Sequence, residues 1–291
     1  MENSRKNCID FIYKIFANDC KNDKNLEFEN KYFNTIADNC VKELTQNKKS
    51  AEKPFLIRLG GQCGSGKTTQ LLPAIKENLK DDNYIHLAVR LFADKHPHYN
   101  KLLDEYGQGL IREKTNGYAL LCLFKVLEIL IQNKYNIFLE MTILDPDFEE
   151  YINKLAKKYN FSVLFNVMSI PFEVSNYLVE ERRKNNNLEK NRIMPKNTLD
   201  FFYNILPLGI ENIIKNANIF DENDYFIIWN MLESKPILIS NNFNNEILDI
   251  FNKNRIFNKN NFTKIPDFAK KLKEKTEFYK NFLKNVAIFF K

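Results

Sequence analysis

Residues 60–70 carry the spacing that points most directly to phosphate chemistry. The pattern G-x-x-x-x-G-K-T runs from Gly61 to Thr68. Glycines let the backbone curl so that several N–H groups face an anion, and the next helix adds its positive dipole end. In such a loop the lysine, here Lys67, reaches the β- and γ-phosphates, and the Thr68 hydroxyl binds Mg²⁺. The pattern predicts a nucleoside triphosphate site rather than a chance turn, since the chain has only 8 glycines.

The segments on either side of the loop fit this prediction. Residues 54–59 are typical of a short buried strand, and residues 69–79 place apolar side chains at helical spacing. A strand that enters and a helix that leaves are the context in which a phosphate loop forms. The predicted nucleotide-binding residues are Gly61, Gln62, Cys63, Gly64, Ser65, Gly66, Lys67, Thr68 and Thr69, with Thr68 also the predicted metal ligand.

Two arginines are candidates for the rest of a phosphoryl-transfer site. Such a reaction needs cations for the charge that develops on the phosphoryl group. Arg182 lies in the last turns of a predicted helix over residues 172–184, and Arg192 lies in the polar loop that follows it. Each is either a catalytic cation or an ordinary surface arginine.

Glu140 is the candidate carboxylate. It ends an otherwise apolar predicted strand, where a Walker-B-type or substrate-binding acid is found, although a solvated strand end is the alternative. His96 and His98 flank Pro97 without a third ligand nearby in the sequence. A turn is therefore favoured over a metal site at that point.

Strand and helix patterns alternate through the middle of the chain. This order predicts an α/β, P-loop kinase-like three-layer fold, with a mostly parallel sheet flanked by helices. Ligands of such sheets bind at the carboxyl ends of the strands. The predicted strands are residues 54–59, 84–91, 135–140, 161–168, 218–221, 225–229 and 236–239, and the predicted helices between them include 69–79, 120–132, 147–159, 172–184 and 196–214.

The flanking regions are predicted to be helical. Residues 1–50 form an N-terminal helical extension, residues 51–240 the kinase-like domain, and residues 241–291 a C-terminal helical region packed on the core. The first helices either pack on the core or dock another protein. The helix predicted over 267–290 has a lysine-rich and a phenylalanine-rich face, which favours packing on the domain or a partner over a membrane surface.

The amino-acid composition limits the expected partners and the expected cellular location. The net charge of +6 is spread along the sequence, so a solvated lysine-rich surface is favoured and no nucleic-acid partner is expected. Five cysteines without a C-x-x-C pair indicate reduced thiols and a cytoplasmic location. Cys63 in the loop is either a reactive thiolate or, as we favour, a small loop-filling residue. No signal peptide and no membrane span are expected.

Several short motifs accompany the phosphate loop in a definite order. They are Lys31-Tyr32-Phe33, His96-Pro97-His98-Tyr99, Tyr135-Asn136-Ile137-Phe138-Leu139-Glu140-Met141-Thr142, Met168-Ser169-Ile170-Pro171, Arg182, Arg192 and Ile205-Leu206-Pro207. The ordered set, over roughly residues 31 to 235, resembles the zeta toxins of bacterial toxin–antitoxin systems.

The resemblance implies a specific activity. It implies a kinase that uses ATP and Mg²⁺ to phosphorylate the 3′-hydroxyl of the amino sugar in UDP-N-acetylglucosamine. It further implies that Arg182 and Arg192 contact the ATP phosphates, and that Glu140 and Thr142 line the substrate side. The expected partner is a small helical antitoxin that blocks the nucleotide site. Residues 1–30 precede the family's usual start and are either additional core helices or an internal blocker.

The substrate side departs from the family pattern. Family members usually carry an acid, the proposed base, where this chain has Arg90, and another acid is common at Ala88. Three further differences fall at Phe124, Met141 and Leu144. Arg90 is therefore a candidate to hold a substrate phosphate instead.

Other acids could replace the missing base. Asp94 follows Arg90 by about one helical turn, while Asp145 and Asp147 are weaker candidates. Four functions remain open: a sugar-nucleotide kinase, a zeta-like kinase with another acceptor, an ATP-binding protein with little catalysis, and, more distantly, a shikimate-like small-molecule kinase.

Overall fold

The computed structural model describes residues 1–17, 20, 23–78, 82–142, 146–184, 196–230 and 235–256. Its helices are α1 (Glu2–Ile15), α2 (Lys31–Thr45), α3 (Leu72–Asn78), α4 (Tyr99–Gln132), α5 (Pro146–Lys158), α6 (Phe172–Lys184), α7 (Lys196–Lys215) and α8 (Asn245–Lys253). Its strands are β1 (Phe55–Gly60), β2 (Ile85–Ala88), β3 (Ile137–Glu140), β4 (Ser162–Ser169), β5 (Tyr225–Asn230) and β6 (Lys235–Ser240).

The strands form a six-stranded sheet in the order β2-β3-β1-β4-β5-β6. Every neighbouring pair is parallel except β5 and β6, which are antiparallel. β1 lies between β3 and β4, and its residues are buried apart from the half-buried Phe55, as expected for a strand covered on both faces. The predicted α/β fold with a mostly parallel sheet is confirmed.

Two predicted strands differ from the structure. The strand expected over 84–91 ends at Ala88, and residues Val89–Lys95 form a 3₁₀-helix. The strand expected over 218–221 is absent, because residues Ala217–Ile219 form a short 3₁₀-helix. Local backbone hydrogen bonds, such as that from the Ile219 N–H to the Asn216 carbonyl at 3.1 Å, replace the sheet pairing there.

The helices at both ends of the described chain share one core with the sheet. Side chains of α1, α2 and α8, including Cys8, Phe33 and Phe251, are fully buried in it. The division of the chain at residues 50 and 240 remains a prediction. The predicted helix over 267–290 lies outside the described residues.

A buried ion pair links the sheet to α5. Both terminal nitrogens of Arg58, on β1, donate to the two carboxylate oxygens of Glu149 at 2.9 Å. Their side chains are 1% and 0% exposed. The guanidinium also lies over the rings of Phe148 and Phe165, at 5.9 and 5.8 Å. The two parallel hydrogen bonds pair the charges away from water, while the buried Nε of Arg58 makes no hydrogen bond.

One described helix segment is compatible with a membrane span by length and composition alone. Residues Leu110–Gln132 of α4 satisfy that test, although the sequence was not expected to contain such a run. In the fold, 78% of the most apolar window is buried. A core helix of a globular protein satisfies the same test.

Candidate functional site

The phosphate loop has the backbone conformation that its glycines predict. Gly61, Gly64 and Gly66 have φ angles of 126°, 78° and 90°, a region that side-chain-bearing residues rarely adopt. A Cβ at Gly64 would also lie 2.7 Å from the Ser175 carbonyl oxygen. The Ser175 hydroxyl in turn donates to the Cys63 carbonyl. The loop is therefore held closely against α6.

Lys67 faces the inside of this loop. Its Nζ donates to the carbonyls of Gly61 and Gln62 at 2.6 and 2.8 Å. Thr142, after β3, closes the loop from the other side with a hydroxyl that donates to the Gly61 carbonyl at 3.2 Å. The Gln62 side chain donates to the Ile170 carbonyl at 2.8 Å, so the turn after β4 is joined as well.

Glu140, at the end of β3, is the centre of a buried polar cluster. One carboxylate oxygen accepts a hydrogen bond from the Thr68 hydroxyl. The other lies 2.9 Å from Nε2 of His86 and 3.0 Å from NH1 of Arg90. The three contacts come from three different segments, which meet because β1, β2 and β3 end at the same edge of the sheet.

These contacts hold Glu140 in its charged form. Burial alone raises its pKa, but the hydrogen bond with His86, the charge of Arg90 and the Thr68 hydroxyl outweigh that effect. The result is a pKa of about 2. The cluster therefore presents a carboxylate that stays ionised at neutral pH.

A cavity of about 150 Å³ opens beside this cluster. Its lining includes the phosphate-loop residues Lys67 and Thr68 and the polar side chains of Arg90, Arg112, Asn116 and Glu140. The apolar wall consists of Phe16, Leu120, Met141, Val179 and Phe202, and the remaining lining residues are Cys63, Gly64, Ser65, Gly66, Thr69, Ala88, Val89 and Thr142. Among the described lining residues, Glu140 is the one carboxylate.

Of the predicted catalytic residues and bases other than Lys67, some lie away from the cavity and others are not described by the structure. Asp94 is exposed and is not among the residues that line the cavity, so the geometry gives no support to its proposed role as a base. Asp147 accepts a hydrogen bond from Asn7 at 3.3 Å, away from the cavity. Arg182 lies on α6, but its side chain is outside the description. Arg192 and Asp145 lie outside the described residues.

The structure also answers the question of the two histidines after β2. His98 binds Asp23 through its Nε2 at 2.6 Å, and its N–H donates to Nδ1 of His96 at 3.1 Å. Within the part of the chain that the structure describes, no group of three metal-binding side chains is present. The two side chains thus make hydrogen bonds within the turn and to Asp23.

Several site residues were not singled out from the sequence, among them Phe16, His86, Arg112, Asn116 and Phe202. His86 had a usable signal, because it lies two residues before Ala88 on β2, and Ala88 pairs in register with Glu140. Side chains two apart on a strand share a face. Arg112 and Asn116 lie four apart on α4 and share a helical face, but nothing in the sequence shows what that face meets.

Comparison with known sequences identifies the family. The zeta toxin family profile matches residues 40–255. The toxin PezT of Streptococcus pneumoniae serotype 4 is 31% identical over 170 residues, which are 57% of this chain and 66% of that protein. The zeta toxin of Streptococcus pyogenes is 26% identical over 196 residues, 66% of this chain and 67% of that protein. The chain thus spans about two thirds of the length of these curated relatives.

Solved structures agree on the fold. A structure from the PezAT toxin–antitoxin system of Streptococcus pneumoniae superposes with a TM-score of 0.67 at 23% identity, covering 87% of this chain and 99% of that one. The AvrRxo1-ORF1:ORF2 complex with ATP superposes with a TM-score of 0.54 at 11% identity, covering 90% and 87%. Because the family profile matches well over half of its residues, the chain belongs to the zeta toxin family.

Proposed function

We propose that this protein is a kinase that transfers the γ-phosphate of ATP to a hydroxyl of a sugar nucleotide, with the 3′-hydroxyl of UDP-N-acetylglucosamine as the acceptor. The observation that carries the proposal is the pairing of Thr68 with Glu140 beside Lys67, at one end of a cavity that continues beyond the phosphate loop. A nucleotide phosphate and an acceptor hydroxyl would meet in that cavity.

The donor set at the loop fits magnesium. The Thr68 hydroxyl and the Glu140 carboxylate are adjacent oxygen ligands, which Mg²⁺ prefers together with phosphate oxygens and water. When bound, the ion would neutralise charge on the β- and γ-phosphates. Lys67 would exchange its two carbonyl partners for phosphate oxygens, and the loop N–H groups would orient the anion.

The lowered pKa of Glu140 favours a positioning role for this residue over that of a general base. A carboxylate with a pKa of about 2 takes up a proton poorly at neutral pH. Phosphoryl transfer through a loose transition state needs little deprotonation of the attacking hydroxyl beforehand. In this mechanism Glu140 would hold the metal and Arg90, and Arg90 would orient a phosphate of the acceptor.

A second candidate is an ATP-binding protein with weak catalysis, and Arg90 is the observation that favours it. This residue occupies the position where the resemblance places the acid, and it pairs with Glu140 at 3.0 Å. A zeta-like kinase with another acceptor uses the same ATP site and is tested by the same assay.

The assay is incubation with ATP, Mg²⁺ and UDP-N-acetylglucosamine, followed by mass spectrometry of the products. A product heavier by one phosphate supports the proposal, products only with other acceptors support a changed specificity, and ATP binding without transfer supports the second candidate. Lys67→Ala is expected to abolish transfer. Lys42→Ala, which removes an exposed lysine on α2, is the matched control; transfer that persists in Lys67→Ala overturns the phosphate-loop mechanism.

We also propose an antitoxin partner and a cytoplasmic location. The similar solved structures are described as a toxin–antitoxin system and a two-protein complex, which supports an antitoxin partner. The family resemblance further implies that this partner is small and helical and blocks the nucleotide site. The five cysteines, all among the described residues, form no disulfide, in keeping with a reducing compartment. The proposed partner is tested by co-purification of a small protein with this chain. Competition between that protein and ATP would then test whether it blocks the nucleotide site.

A further inference from the structure

The apolar wall of the cavity includes a residue from the very start of the chain. Phe16 follows α1, lies outside the range matched by the family profile, and lines the cavity together with Phe202 of α7. The two rings are nearly parallel, with 11° between their planes and 6.1 Å between their centroids. Phe201 packs edge-on against Phe16 at 5.6 Å, so the wall is a supported aromatic cluster.

The backbone of this segment is fixed against α4 by one close approach. Gly117 lies on α4, and a Cβ at that position would be only 1.8 Å from the Phe16 carbonyl oxygen. The neighbouring Ala17 is fully buried. Phe16 is therefore positioned by contacts with the fold and is not a loosely attached side chain.

The other end of α1 is anchored by charge. Arg5 donates to both carboxylate oxygens of Glu128 on α4, at 2.6 and 3.1 Å, and the Glu128 side chain is 5% exposed. The Phe28 N–H donates to the Tyr13 hydroxyl at 2.6 Å. Together with the Gly117 contact, these bonds hold the segment at both ends.

The polar part of the cavity complements a nucleotide. Lys67, Arg90 and Arg112 contribute three cations, against the one carboxylate of Glu140. Arg90 and Met141 come from the ends of β2 and β3, and Arg112 comes from α4, which connects those two strands. In the sheet order, β3 and β2 lie on the side of β1 away from β4. An acceptor would lie here while ATP phosphates occupy the loop.

We propose that Phe16 and Phe202 form a stacking surface for the nucleobase of a nucleotide-linked acceptor, so that the N-terminal segment completes the acceptor site. The inference rests on the proposed function for the identity of the acceptor. Stacking of a base on an aromatic side chain tolerates any base and contributes substantially to affinity. The diphosphate of such a ligand would face the cationic part of the cavity.

The test measures binding of UDP to the full chain by calorimetry, with Mg²⁺ and a non-hydrolysable ATP analogue at saturation. Phe16→Leu keeps most of the packing volume but removes the ring, and it is expected to weaken UDP binding about tenfold while affinity for the ATP analogue stays within about twofold. Gly117→Ala, which must displace the Phe16 backbone, is expected to give a similar loss. Ile15→Ala, which alters an exposed neighbour, is the matched control.

Three outcomes overturn the stacking surface: equal UDP affinity in Phe16→Leu, an equal loss of affinity for the ATP analogue, or no UDP binding by the parent. These outcomes are separable from failure of the proposed function. A parent that binds UDP but transfers no phosphate refutes the kinase and retains the surface. A parent that phosphorylates an acceptor lacking a nucleobase, and that does not bind UDP, supports the kinase and refutes the stacking surface.

Discussion

Two arginine–glutamate pairs lie along the same sheet and differ in how far water and other partners reach them. Arg58 and Glu149 make two hydrogen bonds to each other, and their side chains are 1% and 0% exposed. Arg90 and Glu140 make one contact of 3.0 Å, and the arginine is 29% exposed. The Glu140 carboxylate also binds His86 and Thr68. The first pair is closed and structural, whereas the second is open to a ligand.

The largest expected effect comes from breaking the closed pair. Glu149→Ala leaves the buried guanidinium of Arg58 without its counter-ion, and we expect the free energy of unfolding to fall by about 3–5 kcal/mol. Denaturant titration of parent and variant measures the loss. As a control, the double change Arg58→Met with Glu149→Leu restores an apolar pair and should lose much less. A single variant within about 1 kcal/mol of the parent would contradict the structural role.

The carboxylate of the open pair, Glu140, should make the free energy of unfolding depend on pH. The folded-state pKa of Glu140 is about 2, below its ordinary value of 4.5. A lowered folded-state pKa gives stability that is present above pH 4.5 and is lost as the pH falls toward 2, by about 3 kcal/mol in total. Unfolding measured from pH 7 to pH 3 should therefore show a steeper acid loss in the parent than in Glu140→Gln. Parallel curves would refute the assigned charge state.

Removing the arginine of the open pair is expected to act on the acceptor. Arg90→Ala should raise the acceptor KM about tenfold, or about 1.4 kcal/mol, with little change in the KM for ATP, because Lys67 and the loop remain. Arg90→Lys keeps the charge, so its acceptor KM should lie between those of the parent and of Arg90→Ala. Steady-state kinetics with each substrate varied separately provide the measurement. A rise confined to the ATP KM would assign Arg90 to the nucleotide side instead.

The smallest expected effect concerns His86. Its ring orients Glu140 from 2.9 Å, so His86→Ala should lower kcat at limiting Mg²⁺ by about threefold to fivefold, close to 1 kcal/mol. His86→Gln supplies a hydrogen-bond donor at a similar reach and is expected to recover part of the rate. Measuring kcat of the parent and of both variants over a series of Mg²⁺ concentrations tests this prediction. A loss of the same size at saturating Mg²⁺ would contradict a role through the metal-binding carboxylate.

Local patterns explain why much of the fold was predictable. The phosphate loop is specified by residues that lie next to one another, and the bounds of α6 agree with the predicted 172–184. Residues 89–91 were harder, because Val89 and Leu91 continue the strand pattern while the backbone turns into a 3₁₀-helix. Residues 217–220 show the same limitation: Ala217 and Phe220 pack against the core without joining the sheet.

The candidate site was predictable to the extent that it follows strand ends. Glu140 was found because it ends a recognisable strand and Thr142 through the family resemblance, and the structure brings both to the phosphate loop. The roles assigned to Arg182, Arg192 and Asp94 remain predictions. Phe16 could not be found, since its place in the cavity depends on a contact with Gly117, about one hundred residues away. A glycine inside a helix signals close approach without showing what approaches.

The packing of α1 has a consequence for where this protein can be divided. The family profile begins at residue 40, yet Cys8, Ile12 and Ala17 are fully buried in the common core. A fragment cut at the family boundary would leave an uncovered apolar strip on α4 and α5, and it would unfold less cooperatively than the intact chain. The stretch that the family profile matches is thus shorter than the stretch that packs into one core, and expression of the latter must begin upstream of the former.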